Sequence, residues 1–482
     1  MFLKVSLQLK MILFLMAIFA FSCVKKPPLS FLAHSYIPSG PAAIFQDDFP
    51  FFVSPKTPDL NTVIFPARPG CSVKLLGDGP ENFALRAEIM KNARSYIELQ
   101  TYIFADDATG RDTARIFKEK ITAGLEVRLI VDAYNKFSDQ DRDFYEKLEK
   151  FGLQIAGFEP LSFTFLNDNY LPTLREFNMR YHEKYLMVDD YIGIVGGTNI
   201  ADEYAGLGTE PEKQMRDQDV LLTGPVVKDL RIAFKENFNE FKEREQSRPA
   251  WLKKARSRGP RNVPGETEGL KFNPVELPFK IENFADPEAM VRLIRSRPRY
   301  EETYIYQTYL FLIKSARKSI LIENSYFIPD QELNQAILDA ARRGVEIVMI
   351  IECGKPKDPY QMQPAITRHY YLPLMEAGVK IYEWQLMAKG QEALHSKFAV
   401  FDGQVSIIGS YNLDPRCKLL NSENVVLINS EKTAQALIDY VHTKDLGRTE
   451  PVSLENAQKW RYPRDLKNSV KLLCALLIKD YW

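Results

Sequence analysis

The sequence is poor in the residues that build disulfide scaffolds and metal centres. It holds five Cys and five His in 482 residues. Cys71, Cys353, Cys417 and Cys474 are far apart and lack metal-ligand spacing, so a zinc module is excluded. They read as small buried apolar side chains. No carboxylate cluster of the kind that binds magnesium stands out, and no cofactor is called for. Charge of one sign is also missing, since 63 Lys and Arg balance 63 Asp and Glu. Bulk charge therefore neither requires nor forbids a polyanionic partner. Long apolar runs are missing too: Met11 to Phe21 and Val470 to Ile478 are both too short to span a bilayer. What remains is an ordinary globular composition, 45% apolar and 26% charged, in a chain long enough for two or three domains.

One pattern occurs twice. Tyr181-His182-Glu183-Lys184-Tyr185-Leu186-Met187-Val188-Asp189 reappears as Leu394-His395-Ser396-Lys397-Phe398-Ala399-Val400-Phe401-Asp402. Both read H-x-K-x-x-x-x-D. A Gly-rich run with an Asn follows each, Gly196-Gly197-Thr198-Asn199 and Gly409-Ser410-Tyr411-Asn412, and the Asn lies 17 residues after the His in both. Intact spacing points to a duplicated unit. The apolar residues that follow are strand-like, and residues two apart share a strand face, so imidazole and ammonium project the same way. Asp189 and Asp402 are too far along to join them and read as structural anchors near the turns. Asn199 and Asn412 stand where a turn leads into an expected helix, whose free N–H groups suit phosphate. Two such units face to face supply two His, two Lys and two Asn around one anionic centre. That set suits phosphodiester transfer: one His attacks phosphorus, the other protonates the leaving oxygen, and Lys and Asn hold the non-bridging oxygens. Two of five His falling in matched frames is hard to ascribe to chance. His34, His369 and His442 receive no role.

These motifs resemble the phospholipase D superfamily, with its paired HKD motifs. The flanks Asn178-Met179-Arg180-Tyr181 and Ile200-Ala201-Asp202-Glu203-Tyr204, with Leu413-Asp414-Pro415-Arg416 and Asn421-Ser422-Glu423, resemble bacterial cardiolipin synthases of the C type over roughly residues 70 to 450. The resemblance implies two duplicated α/β domains, each a mixed sheet flanked by helices, related by a pseudo-twofold with the active site between them. It implies an acid after each motif that hydrogen-bonds a catalytic His: Glu423 in the second half, and Asp217 in the first, with Asp219 close behind. It implies His182 as nucleophile and His395 as acid, an order that the residues alone leave open. Thr198 and Cys417 depart from the usual Arg and Ser.

The rest of the chain frames these units. Lys4 and Lys10 precede the apolar run and Ala20-Phe21-Ser22-Cys23, which resembles a bacterial lipoprotein signal with Cys23 lipidated. An uncleaved anchor and an ordinary signal peptide are the alternatives. The expected divisions are a signal peptide (1–23), a tether and arm packed on the first domain (24–69), domain 1 (70–244), a linker (245–300), domain 2 (301–450) and an apolar tail (451–482). Helices are expected over Pro80 to Arg94, Thr113 to Ala123 and Asp330 to Arg343, with Gly124 and Gly344 as stops. Strands are expected at Tyr96 to Tyr102, Val127 to Asp132, Ile320 to Glu323 and Val345 to Ile351. The Ala123-Gly124-Leu125-Glu126-Val127 and Arg343-Gly344-Val345-Glu346-Ile347 echo supports duplication. The basic linker with Trp251 reads either as a lipid-resting loop or as a solvated connection. The tail reads either as an interfacial helix or as a helix docked on the core.

By resemblance the function is phosphatidyl transfer between phospholipids at a membrane surface of the bacterial envelope. Phosphatidylglycerol, phosphatidylethanolamine or cardiolipin would be the substrates, the reaction would need no metal, and a monomer would suffice. Water as acceptor would make the protein a phospholipase D. A secreted phosphodiesterase or nuclease is the competing class, and the lipid anchor, apolar tail and neutral charge argue against nucleic acid. A lipid-binding lipoprotein without catalysis is the third reading.

Overall fold

In the computed structural model the described residues are 40–46, 65–77, 79–133, 142–158, 178–207, 210, 213–247, 280, 284–353, 362–385 and 392–479. The signal segment with Cys23, and Trp251 with its basic neighbours, lie outside them.

Short, mostly apolar runs that are buried at every position make central strands, covered on both faces. Tyr185–Val188, Ile192–Gly196, Lys397–Phe401 and Val405–Gly409 are of this kind. The strands are, in chain order, β1 (Arg68–Leu76), β2 (Tyr96–Thr101), β3 (Glu126–Asp132), β4 (Gln154–Phe158), β5 (Arg180–Tyr181), β6 (Tyr185–Val188), β7 (Ile192–Gly196), β8 (Met215–Arg216) and β9 (Asp219–Thr223). They continue as β10 (Asp286–Ser296), β11 (Ser319–Asn324), β12 (Glu346–Glu352), β13 (Lys380–Trp384), β14 (Ala393–Leu394), β15 (Lys397–Phe401), β16 (Val405–Gly409), β17 (Asn421–Asn429) and β18 (Thr449–Pro451).

One sheet runs β18-β13-β12-β11-β15-β16-β17-β10-β1-β9-β7-β6-β2-β3-β4. Apart from the extra edge strand β18, this order reads the same outward from the β1–β10 contact in either direction. Parallel pairs match parallel pairs, β2–β3 with β11–β12 and β3–β4 with β12–β13. The central β1–β10 pair is antiparallel, as a twofold through it requires.

The expected helices form at Gly79–Lys91, Ala108–Thr122 and Gln331–Arg342. Asp107 and Asp330 cap the latter two by accepting from Gly110 N and Leu333 N. Gly124 and Gly344 have φ of 89° and 87°, the left-handed geometry that ends a helix without a Cβ penalty.

Two expectations are corrected. The stretch 245–300 is not linker throughout: the helix Val226–Ser247 overruns its start, and β10 is a central strand pairing β1 and β17. Buried Arg292 and Arg295 hid it, because charged residues break strand patterning. Arg295 Nη1 donates to Glu236 at 2.9 Å and Nη2 to Asn237 at 2.8 Å. The described Pro41–Phe45 turn of the arm packs on the second half instead of the first, with Ala43, Ile44 and Phe45 in the core around Tyr309 and Leu312. The tail forms the helices Leu454–Arg461 and Leu466–Ile478, and the second is docked on one side and exposed on the other.

Candidate active site

Each motif His stands in a gap between two short strands of its own half that pair with different halves. β5 pairs in parallel with β17 of the second half, Arg180 with Asn421 and Tyr181 with Ser422. His182 N donates to Ser422 O at 2.9 Å, and the chain then returns to its own half as β6 beside β2. The second motif does the converse. β14 pairs with β8 of the first half, His395 N donates to Arg216 O at 2.7 Å, and β15 returns beside β11. The expectation of a His inside a continuous strand is thereby corrected: the strand changes partner at the His. Strand-end acids pin the preceding residue in both halves. Asp132 accepts Tyr181 N at 2.7 Å and Glu352 accepts Leu394 N at 2.8 Å.

The crossover carries each imidazole to the other half's acid. His182 Nδ1 lies 2.9 Å from Glu423 Oε2, and His395 Nδ1 lies 2.5 Å from Asp217 Oδ2. A neutral imidazole donating Nδ1–H to a carboxylate keeps its lone pair on Nε2 and is fixed in that tautomer. Burial pushes the His182 pKa down, and Glu423 opposes the shift. Burial pushes the Glu423 carboxyl up, but His182 and Lys184 outweigh it and leave the group below its ordinary value. Glu423 is further held by the Ser410 hydroxyl, Cys417 Sγ at 3.0 Å and Asn421 Nδ2 at 3.3 Å. Asp217 differs. Burial raises its pKa despite Lys397, and Gln218 N is its backbone donor at 2.9 Å. Gly197 makes room for it, since a Cβ there would lie 2.4 Å from Asp217 Oδ1. Ser410 holds the position equivalent to Gly197 and gives Glu423 a hydroxyl instead.

Both lysines sit beside their histidines as the spacing implied. Lys184 Nζ donates to His182 O at 2.9 Å, and Lys397 Nζ donates to His395 O. Burial pushes Lys184 down to about 7, with Glu423 opposing and Lys397 reinforcing the shift. Lys397 also bears on His182, so charges from both motifs meet in one site. Tyr102 packs edge-on to His182 at 5.3 Å and Tyr204 to His395 at 5.2 Å, between ring centroids. Asp189 accepts from Arg94 N, Ser95 N and Tyr96 N at 2.6, 2.7 and 2.9 Å. Asp402 accepts in the same way from Arg317 N, Lys318 N and Ser319 N. Each motif Asp thus ties its turn to the start of a neighbouring strand, away from the histidines.

The residues matched by the family described as "Cardiolipin synthase, PLD-like domain" are 87–221 and 309–444, and each segment holds one motif and one acid. The chain belongs to this family. Within it, cardiolipin synthase of Halalkalibacterium halodurans is 28% identical over 410 residues, 84% of this chain and 72% of that protein. Cardiolipin synthase 2 of Bacillus anthracis is 29% identical over 410 residues, 84% of this chain and 70% of that one. The crystal structure of phosphatidylserine synthase from Haemophilus influenzae superposes with a TM-score of 0.60 at 17% identity, covering 85% of this chain and 95% of that one. At that identity the likeness shows a shared phospholipase D-type fold.

The two asparagines of this PLD-like pair are unequal, which corrects the symmetric expectation. Asn199 Oδ1 accepts Ile103 N at 3.1 Å, and Asn199 Nδ2 donates to Tyr204 OH at 2.8 Å. It braces the tyrosine that packs on His395. Asn412 Oδ1 is buried with no hydrogen-bond partner among the described residues. The helices expected to offer free N–H groups do not. Asp202–Ala205 begins three residues past Asn199, and Asp202 N is taken by Asp107. Pro415–Leu419 is capped by Asp414. Asp219 serves Asn82 and Arg86 at 2.7 and 2.8 Å and stands apart from the histidines. Asn424 was missed. Its side chain grips both backbone groups of Lys184 across the halves, Lys184 N at 2.7 Å and Lys184 O at 3.3 Å. Its adjacency to Glu423 was the available signal.

Proposed function

We propose that the chain is a phosphatidyltransferase of the cardiolipin synthase type, working through a phosphohistidine without a metal. The reciprocal His–acid pairing across the two halves carries this reading, because each imidazole is oriented by a carboxylate of the other half. Nε2 of His182 attacks the phosphorus of a phospholipid phosphodiester. The bond from phosphorus to the headgroup oxygen breaks, and His395, as imidazolium, gives that oxygen its proton. His395, now neutral, takes the proton of the acceptor hydroxyl, whose oxygen displaces Nε2 and restores His182. Lys184, Lys397 and the Asn412 amide hold the non-bridging oxygens as charge builds, a role metal ions fill elsewhere. Glu423 holds the tautomer of His182 and stabilises its cationic phosphorylated form, and Asp217 does the same for protonated His395.

Phosphatidylglycerol or phosphatidylethanolamine is the proposed donor and phosphatidylglycerol the acceptor, at the surface of the bacterial envelope. The named activity of the two cardiolipin synthases supports this choice, as does a leader that resembles a lipoprotein signal with Cys23 as its lipidated residue. Both motifs lie in one chain, so a monomer suffices. The test is product analysis on mixed phosphatidylglycerol and phosphatidylethanolamine vesicles in EDTA. Cardiolipin that disappears with His182→Ala supports the proposal. Phosphatidic acid alone would make the protein a hydrolase, and cleavage of plasmid DNA under the same conditions a nuclease. No product with wild-type protein would sink the enzymatic reading.

A further inference from the structure

Five of the eight large apolar side chains exposed among the described residues fall between positions 462 and 477. Leu466, Val470, Leu473 and Leu477 are 80%, 41%, 59% and 57% exposed and recur at helical spacing along one face of Leu466–Ile478. Tyr462 extends the stripe at 62% exposure. The opposite side of the helix is anchored, with Ala475 fully buried against Ile328 and Ile366. This anchor leads to the catalytic end of the molecule: Ile328 N donates to Leu413 O at 2.8 Å, and Leu413 follows Asn412. Charge is uneven here although the whole chain is neutral. Between residues 455 and 480 stand six basic residues, Lys459, Arg461, Arg464, Lys467, Lys471 and Lys479, against three acids, Glu455, Asp465 and Asp480, of which Glu455 pairs with Lys459 at 2.7 Å.

We infer that the helix Leu466–Ile478 is the face by which the protein rests on an anionic phospholipid bilayer, its leucine stripe in the acyl boundary and its basic residues at headgroup level. The helix has 13 residues, too short to span, and no helix among the described residues is long and apolar enough to cross a membrane. An apolar face with basic flanks instead lies in the interface plane, where apolar burial and attraction to anionic lipid add. Seated this way, the helix sets the rim of the His182–His395 site against the lipid layer. This use of the surface rests on the reading of bilayer lipid as substrate.

The experiment places a reporter in the full chain. Leu473→Trp is mixed with phosphatidylglycerol vesicles whose acyl chains carry bromine. The added emission is expected to be quenched, and no quenching overturns the inference. Leu473→Glu with Leu477→Glu alters exposed positions only. It is expected to lose most of its turnover on vesicles while keeping wild-type turnover on a water-soluble dihexanoyl phospholipid. Equal turnover on vesicles overturns the inference. A wild-type dimer that this double variant dissociates, with the 473 reporter unquenched by vesicles, assigns the stripe to a second copy and also overturns it. Quenching without turnover of either lipid by wild-type protein would uphold the docking face and defeat the proposed reaction.

Discussion

At the scale of single residues, the site separates groups that hold histidines from groups that hold backbone. Glu423 raises the His182 pKa against the lowering effect of burial. Glu423→Gln removes that charge but keeps the volume. It is expected to lower kcat roughly 100-fold to 10,000-fold and to move the acid limb of kcat/KM to lower pH, because His182 then loses its proton more easily. An unmoved acid limb would show that Glu423 does not act through His182. Asp189 makes the opposite case. It is buried, has φ of 54° and accepts three backbone N–H groups. Asp189→Ala should cost on the order of 3 kcal/mol of stability, read by chemical denaturation, with kcat on vesicles little changed. Lys184 is held at a cost. Its pKa is pushed from 10.5 to about 7, so between those values the unfolded chain binds the extra proton and stability rises with pH. Lys184→Met should therefore abolish activity and stabilise the fold at pH 7 by about 1–2 kcal/mol, measured as a shift in thermal midpoint.

At the scale of elements, the exchange of two-residue strands makes the site. β5 and β14 each spend their length on the other half and deliver the next residue, a His, to the other half's acid. Asn424 locks the first of these junctions through both backbone groups of Lys184. Asn424→Ala leaves two backbone groups unpaired and should lower kcat while sparing the far-ultraviolet spectrum; unaltered kcat would make the junction merely structural. This exchange could not be read in the sequence. Strands of two residues carry no periodicity, and their partners lie far off in sequence, 241 positions for β5 (421 − 180) and 178 for β14 (393 − 215). The duplicated motif, the helices after Asp107 and Asp330, and the Gly124 and Gly344 stops were legible because local chemistry decides them. β10 was not, since its buried arginines are paid for only by partners on another element. The unequal fates of Asn199 and Asn412 were hidden as well: the identical 17-residue offset says nothing of Tyr204, which occupies one amide.

At the scale of the molecule, one continuous sheet joins the two PLD-like segments through β1 and β10. Neither half holds a complete His–acid pair, so folding of the whole and assembly of the site are one event. Calorimetry should show one cooperative transition for both segments, and two resolved transitions would mean that the halves stand independently. The central claim is that the assembled pocket passes a phosphatidyl group through His182 with His395 as proton carrier. Acid-quenched protein after brief exposure to phospholipid labelled at phosphorus tests it most directly, with the modified residue mapped by peptide sequencing. Label on His182, accumulating in a His395→Ala variant supplied with a donor whose leaving alcohol needs no proton, is the predicted result. Label on His395, or turnover with no covalent label at all, would contradict it.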